Sequence, residues 1–141
     1  MRKLNLKTLA LAWLASVLVC GSAAAQTGTI LTADIPFSFT VNNTTLPAGN
    51  YELQEIEPWE FYIHNASKGI KLIFSTDPIS SGVNAPKAYE LEFSSFGDNY
   101  FLSKIWYEST TWGFYVPKSK SERALIKTGE MKIHKVTGKK K

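Results

Sequence analysis

From residue 34 to residue 116 apolar side chains recur at every second position, in short blocks separated by turn-forming residues. An extended strand puts alternate side chains on opposite faces, whereas a helix needs its apolar residues three or four apart. The chain is therefore expected to fold as short, half-buried strands. Seven blocks carry the pattern: 34–41, 51–56, 59–64, 70–75, 88–96, 100–107 and 112–116. Antiparallel pairing of short, closely spaced strands gives an all-β domain, a small β-sandwich or a partly open barrel of seven to eight strands with a short C-terminal helix.

The connections fit hairpins. Leu46-Pro47-Ala48-Gly49 combines a proline of fixed φ with a glycine free to take positive φ, and reads as a tight turn. Asn65-Ala66-Ser67-Lys68-Gly69 joins the third and fourth blocks. Pairing Ile63 with Ile70 sets Phe61 opposite Leu72 and Trp59 opposite Phe74, all facing one way. At Gly97-Asp98-Asn99 a three-residue loop, with Asn99 in the left-handed region, makes Phe96 face Tyr100. Glu92 then faces Lys104, Leu91 faces Ile105 and Tyr89 faces Tyr107, whereas a two-residue loop would set Phe93 against Lys104. The longest connection, residues 76–86, is the natural place for a ligand-contacting segment.

Ahead of these blocks, Met1-Arg2-Lys3 and Lys7 give a basic start, residues 9–19 an apolar stretch, and Gly21-Ser22-Ala23-Ala24-Ala25 a run of small residues. This order is that of a secretory signal peptide, with cleavage expected after Ala25. The apolar stretch is shorter than the ~20 residues of a permanent membrane helix. Val19 stands where a lipoprotein site wants a small residue, so Cys20 is read as part of the signal. The expected mature chain then has no cysteine, which excludes disulfides, a thiolate nucleophile and a cysteine-bound metal. Export to the periplasm or the extracellular space is the expected location. Residues 1–25 are assigned to the signal peptide, 26–128 to one antiparallel β domain and 129–141 to a basic C-terminal tail. The mature chain is too short for eight membrane-crossing strands of roughly ten residues with their loops.

Charge divides along the chain. Residues 26–117 carry four lysines against ten Asp and Glu, and residues 118–141 carry nine Lys and Arg against two Glu. A basic tail on an acidic body can hold a protein to an envelope polymer, a glycan or an anionic membrane surface. Nucleic acid is not expected as a partner, because no aromatic residue is interleaved with the tail lysines. Ser119-Lys120-Ser121-Glu122 fits a capping box that opens a short helix to about Lys127, stopped by Gly129. Met131 and Ile133 fit a last edge strand, with Gly138 to Lys141 expected to be disordered.

Three segments, in order, carry a resemblance: Ile35-Pro36-Phe37-Ser38-Phe39-Thr40-Val41 with Leu46-Pro47-Ala48-Gly49-Asn50-Tyr51, then Phe96-Gly97-Asp98-Asn99-Tyr100-Phe101-Leu102-Ser103-Lys104-Ile105-Trp106, then Val116-Pro117-Lys118-Ser119-Lys120-Ser121-Glu122-Arg123. Together they resemble a group of small secreted bacterial proteins of unknown function, across roughly residues 33–126. The resemblance implies a secreted β domain and supplies no catalytic residue or ligand.

Little in the sequence points to catalysis. His64 and His134 lack the Ser and Asp neighbours of known nucleophile motifs. Glu52, Glu55, Glu57 and Glu60 cluster in sequence, and Glu90 and Glu92 share a strand face. A hydrolase using a carboxylate pair therefore stays open, although alternating acids on strands more commonly mark the wet face. Asp77, Asp98 and Asn99 lack the dense spacing of a calcium loop, and no phosphate-loop motif occurs. No catalytic residue, cofactor or metal site is assigned.

Aromatic residues are the least ordinary feature, at 13% of the chain, more than a small core requires. In the expected register Tyr89, Leu91, Phe93, Ile105 and Tyr107 share one hairpin face, and Phe96, Tyr100, Leu102 and Trp106 the other. One face is core; the other must be covered by the C-terminal segment, a partner or a ligand. Tyr100, Trp106, Trp112 and Tyr115 are the candidate ligand-contact aromatics. The leading expectation is a non-catalytic secreted module that binds a cell-envelope component, a glycan or a protein. The alternatives are a lipocalin-like carrier of a small apolar ligand and the carboxylate-pair hydrolase.

Overall fold

The computed structural model describes residues 28–141; the expected signal peptide lies outside the described residues. Alternation is realised as eleven strands and one short helix. The strands are β1 (Ile30–Ile35), β2 (Phe39–Val41), β3 (Thr44–Leu46), β4 (Gly49–Glu57), β5 (Glu60–Asn65), β6 (Ile70–Ser75), β7 (Asp77–Ser80), β8 (Tyr89–Phe96), β9 (Asn99–Trp106), β10 (Trp112–Tyr115) and β11 (Lys132–Lys140); the helix is α1 (Lys120–Ile126).

The architecture is a nearly closed barrel. Around the ring, β1 pairs β4, β4 pairs β5 and β5 pairs β6; β7 pairs β10, followed by β9, β8, β11 and β1 again. Only Thr76 separates β6 from β7, so these two act as one bent strand shared by the two halves of the sheet. Taken so, the ring has eight strands, within the expected seven to eight, and the β2–β3 hairpin is an addition that pairs in parallel with β9 at Phe39 and Thr40. The predicted strand 34–41 is broken at Pro36, where the missing N–H ends the ladder. The connection 76–86 is shorter than expected, because its first part is β7.

Inside the ring Ile35, Phe39, Val41, Tyr51, Leu53, Phe61, Ile63, Phe74, Leu91, Phe93, Leu102 and Ile105 form one buried cluster. Phe39 meets Tyr51 and Phe93 edge-on, with ring centroids 5.2 and 5.4 Å apart. An eight-strand barrel can be filled by side chains or hold one small ligand, and here side chains occupy the centre. Each buried Phe, Leu or Ile contributes about 1.5–3 kcal/mol by leaving water.

Two registers differ from expectation. Between β5 and β6 the connection is the short turn Ala66–Gly69, braced by Asn65, whose Oδ1 accepts from the Lys68 N–H at 3.2 Å and from the Ser67 hydroxyl at 2.8 Å. Asn65 therefore pairs with Ile70, Ile63 with Leu72 and Phe61 with Phe74. This is a slip of two residues, which preserves the faces but leaves Trp59 beyond the end of the ladder. Between β8 and β9 the loop has two residues, Gly97 and Asp98, with Gly97 at φ 61° as the first position of a II′ turn requires. Phe96 thus pairs with Asn99, not Tyr100. The expected pairs Glu92–Lys104 and Leu91–Ile105 still form, because Ser103 bulges out between them and the turn.

That bulge moves Tyr100 and Leu102 to the core face and leaves Phe96, Phe101 and Trp106 buried on the outer one. The C-terminal segment covers the outer face. Ser119 caps α1 by accepting from the Glu122 N–H at 3.0 Å, as the capping-box pattern anticipates. The Glu122 carboxylate does not reach back; it lies buried and accepts a 2.6 Å hydrogen bond from the Ser94 hydroxyl on β8.

The largest correction concerns the tail. Residues 132–140 are a strand inserted between β8 and β1, and they are not a disordered end or an edge. Alternation explains it: His134 and Val136 turn inward, Ile133, Lys135 and Thr137 outward, while Gly138 lies against Leu31. A Cβ at Gly138 would displace the Leu31 side chain, so glycine lets the two strands close without moving it. Among the described residues no helix is long and apolar enough to cross a membrane.

Candidate functional site

Most of the aromatic surplus is absorbed by the fold. Tyr100 stacks on Phe37 at a centroid distance of 3.9 Å and meets His134 edge-on. Trp106 is buried, and its indole N–H points to Glu92 Oε2 at 3.4 Å. Tyr115 is half-buried, with the Lys118 ammonium 5.6 Å above its ring. Of the four sequence candidates only Trp112 stands in solvent, at 65% exposure.

The structure places Trp112 beside a tryptophan that the expected register had put in the core. Trp59 is 55% exposed, and the two line one open groove of about 460 Å³ together with Glu55, Glu57, Pro58 and Pro78. The walls come from the β4–β5 turn and from the starts of β7 and β10. Ile56 adds exposed apolar area, and Phe114 links the floor to the core through Phe61, 4.9 Å away.

Trp59 holds φ at 66°, in the left-handed region where a bulky side chain is uncommon. Its turn has the residue order Pro then positive φ, for which glycine or asparagine is the ordinary second residue. The hydrogen bonds that fix this position all use its backbone. The Trp59 carbonyl accepts from the Thr76 N–H at 2.7 Å and from the Thr76 hydroxyl at 2.8 Å, and its N–H donates to Glu55 Oε1 at 3.2 Å. None of these bonds uses the indole. Sequence reasoning missed Trp59 because a period of two carried through it; Pro58 just before it was the available signal.

Glu55 is oriented from its other oxygen by the Tyr107 hydroxyl, a long contact of 3.4 Å. Burial raises the Tyr107 phenol above its usual range, and the Glu55 charge adds to the effect. An acid whose folded pKa is raised stabilises the fold below its unfolded value of about 10 and loses that contribution as the pH rises further. Thermal melts of wild type are therefore expected to fall more steeply above about pH 10 than those of Tyr107→Phe. Parallel slopes would show that Tyr107 does not carry the effect.

A second cleft, about 270 Å³, lies under residues 81–86 and brings Glu90, Glu92 and Trp106 together. Both acids are taken: Lys104 Nζ lies 2.6 Å from Glu92 and Lys135 Nζ 2.8 Å from Glu90. The Glu90 carboxylate raises the Lys135 pKa. The two histidines sit apart. His64 lies 3.5 Å from Glu52, and His134 Nε2 is 3.0 Å from the buried Ser95 hydroxyl. Among the described residues no cluster of His, Cys, Asp and Glu could hold a metal ion. Comparison with protein-family models, with curated proteins and with solved structures finds no match to this chain.

Proposed function

We propose that this protein is an exported, non-catalytic β module that binds a glycan of the cell envelope in the groove between Trp59 and Trp112. The observation that carries this reading is Trp59: an exposed indole at a strained backbone position whose hydrogen bonds all use its main-chain atoms. Strain of this kind is retained at ligand-contacting sites, since folding alone would favour glycine there. The electron-rich faces of two exposed tryptophans suit the weakly positive C–H bonds of pyranose rings, and nearby carboxylates accept hydrogen bonds from sugar hydroxyls.

The other readings draw less support. A carrier of apolar molecules needs interior volume, and the centre of this barrel is occupied by Phe39, Phe61, Phe93 and Leu102. A carboxylate-pair hydrolase needs two acids free to exchange protons with a substrate; Glu90 and Glu92 are each engaged by a lysine, and in the groove Glu55 is held by the Trp59 N–H and the Tyr107 hydroxyl.

Titrating purified protein with soluble oligosaccharides from envelope and plant polymers tests the proposal through tryptophan emission. At least one oligomer is expected to shift emission saturably, and Trp112→Ala is expected to weaken that response about tenfold, near 1.4 kcal/mol. Unmoved emission across the panel, or an undiminished response in Trp112→Ala, would remove the reading.

A further inference from the structure

The charges around the groove are of one sign. Glu55 and Glu57 line it, and among the described residues no lysine or arginine does. Glu60 pairs with Glu57 across the two-residue turn, a juxtaposition of like charges that opposes hairpin formation. Among the described residues Glu52, Glu90, Glu92 and Glu122 each have a cationic neighbour within 4 Å, and no ion pair reaches Glu55, Glu57 or Glu60. The molecule has cations to spare: Lys120, Arg123 and Lys127 stand exposed along α1 and pair with no acid. Indole faces attract ammonium groups as well as sugar C–H bonds.

We propose that the groove selects glycans carrying free ammonium groups, the N-deacetylated amino sugars, over their acetylated or neutral counterparts. This rests on the glycan reading above and adds the ligand's charge to it. One ammonium near Glu57 and Glu60 would relieve their mutual repulsion while lying within reach of the Trp59 and Trp112 rings. An acetylated nitrogen offers no charge and adds bulk.

The test uses three β-linked oligomers of equal length, of glucosamine, N-acetylglucosamine and glucose, titrated calorimetrically into purified protein at low salt and mildly acidic pH. The glucosamine oligomer is expected to bind about tenfold more tightly than the other two, with the gap closing in about 0.5 M salt and in Glu57→Gln. Equal binding of all three overturns the charge selection and leaves the glycan reading standing. Binding of none overturns both. Glucosamine binding of undiminished affinity in Trp112→Ala would place the amine elsewhere on the acidic surface and overturn the assignment to this groove.

Discussion

Deleting residues 132–141 is expected to abolish the cooperative unfolding transition, although this segment reads from composition as a soluble tail. Strand β11 supplies two seams at once. It pairs with β8 from Lys132–Ser95 to Gly138–Tyr89 and with β1 at Leu31 and Thr32. Beyond it, the Lys141 N–H donates to the Ile30 carbonyl at 2.9 Å and the Lys141 ammonium lies 2.6 Å from Glu52. That ion pair holds the Glu52 pKa below the usual carboxylate value, so its contribution is present above about pH 4.5 and fades as the pH falls. Without β11 the long edge of β8 and the Leu31–Thr32 stretch of β1 are left unpaired and Leu31 loses its cover, a loss of several kcal/mol against a total of about 5–15 for a domain. Circular dichroism on heating checks this. A truncated chain that melts as sharply as wild type, within a few degrees, would show that the barrel does not depend on its last strand.

Trp59→Gly is expected to separate stability from binding. Glycine adopts φ near 66° without the penalty, about 1–2 kcal/mol, that a Cβ incurs in the left-handed region. The three hydrogen bonds at this position survive, since all use main-chain atoms of residue 59. The indole is more than half exposed, so its removal forfeits only part of its burial energy. The melting temperature should stay level or rise, while Trp59→Ala, which keeps the strain, should melt below Trp59→Gly. Binding should fall in both, because an exposed tryptophan in a groove is the kind of residue whose truncation removes about 2 kcal/mol or more. A Trp59→Gly protein that is strongly destabilised would show that the indole is structural.

The fold was legible where local pattern and local geometry coincide. The blocks 70–75, 88–96 and 112–116 form strands at 70–75, 89–96 and 112–115, and Ser119 to Glu122 caps the helix it announces. Registers were less legible because they depend on turn geometry and bulges. Nothing in Leu102-Ser103-Lys104 marks Ser103 as the bulged residue, and that bulge decides which face Tyr100 occupies. The last strand was obscured by its lysines, which on a strand with one wet face are compatible with burial of His134 and Val136 on the other. Of the groove, Trp112 was visible from the polar stretch before it. Trp59 was not, since a two-residue slip carried it out of an apolar register into a turn.

The most direct measurement is calorimetric titration of the glucosamine oligomer into wild type and Trp59→Gly, below the melting temperature of both. Saturable binding to wild type is expected, with affinity at least about tenfold weaker in the folded variant. Equal affinity in the two proteins, or no saturable heat with wild type, would contradict this expectation.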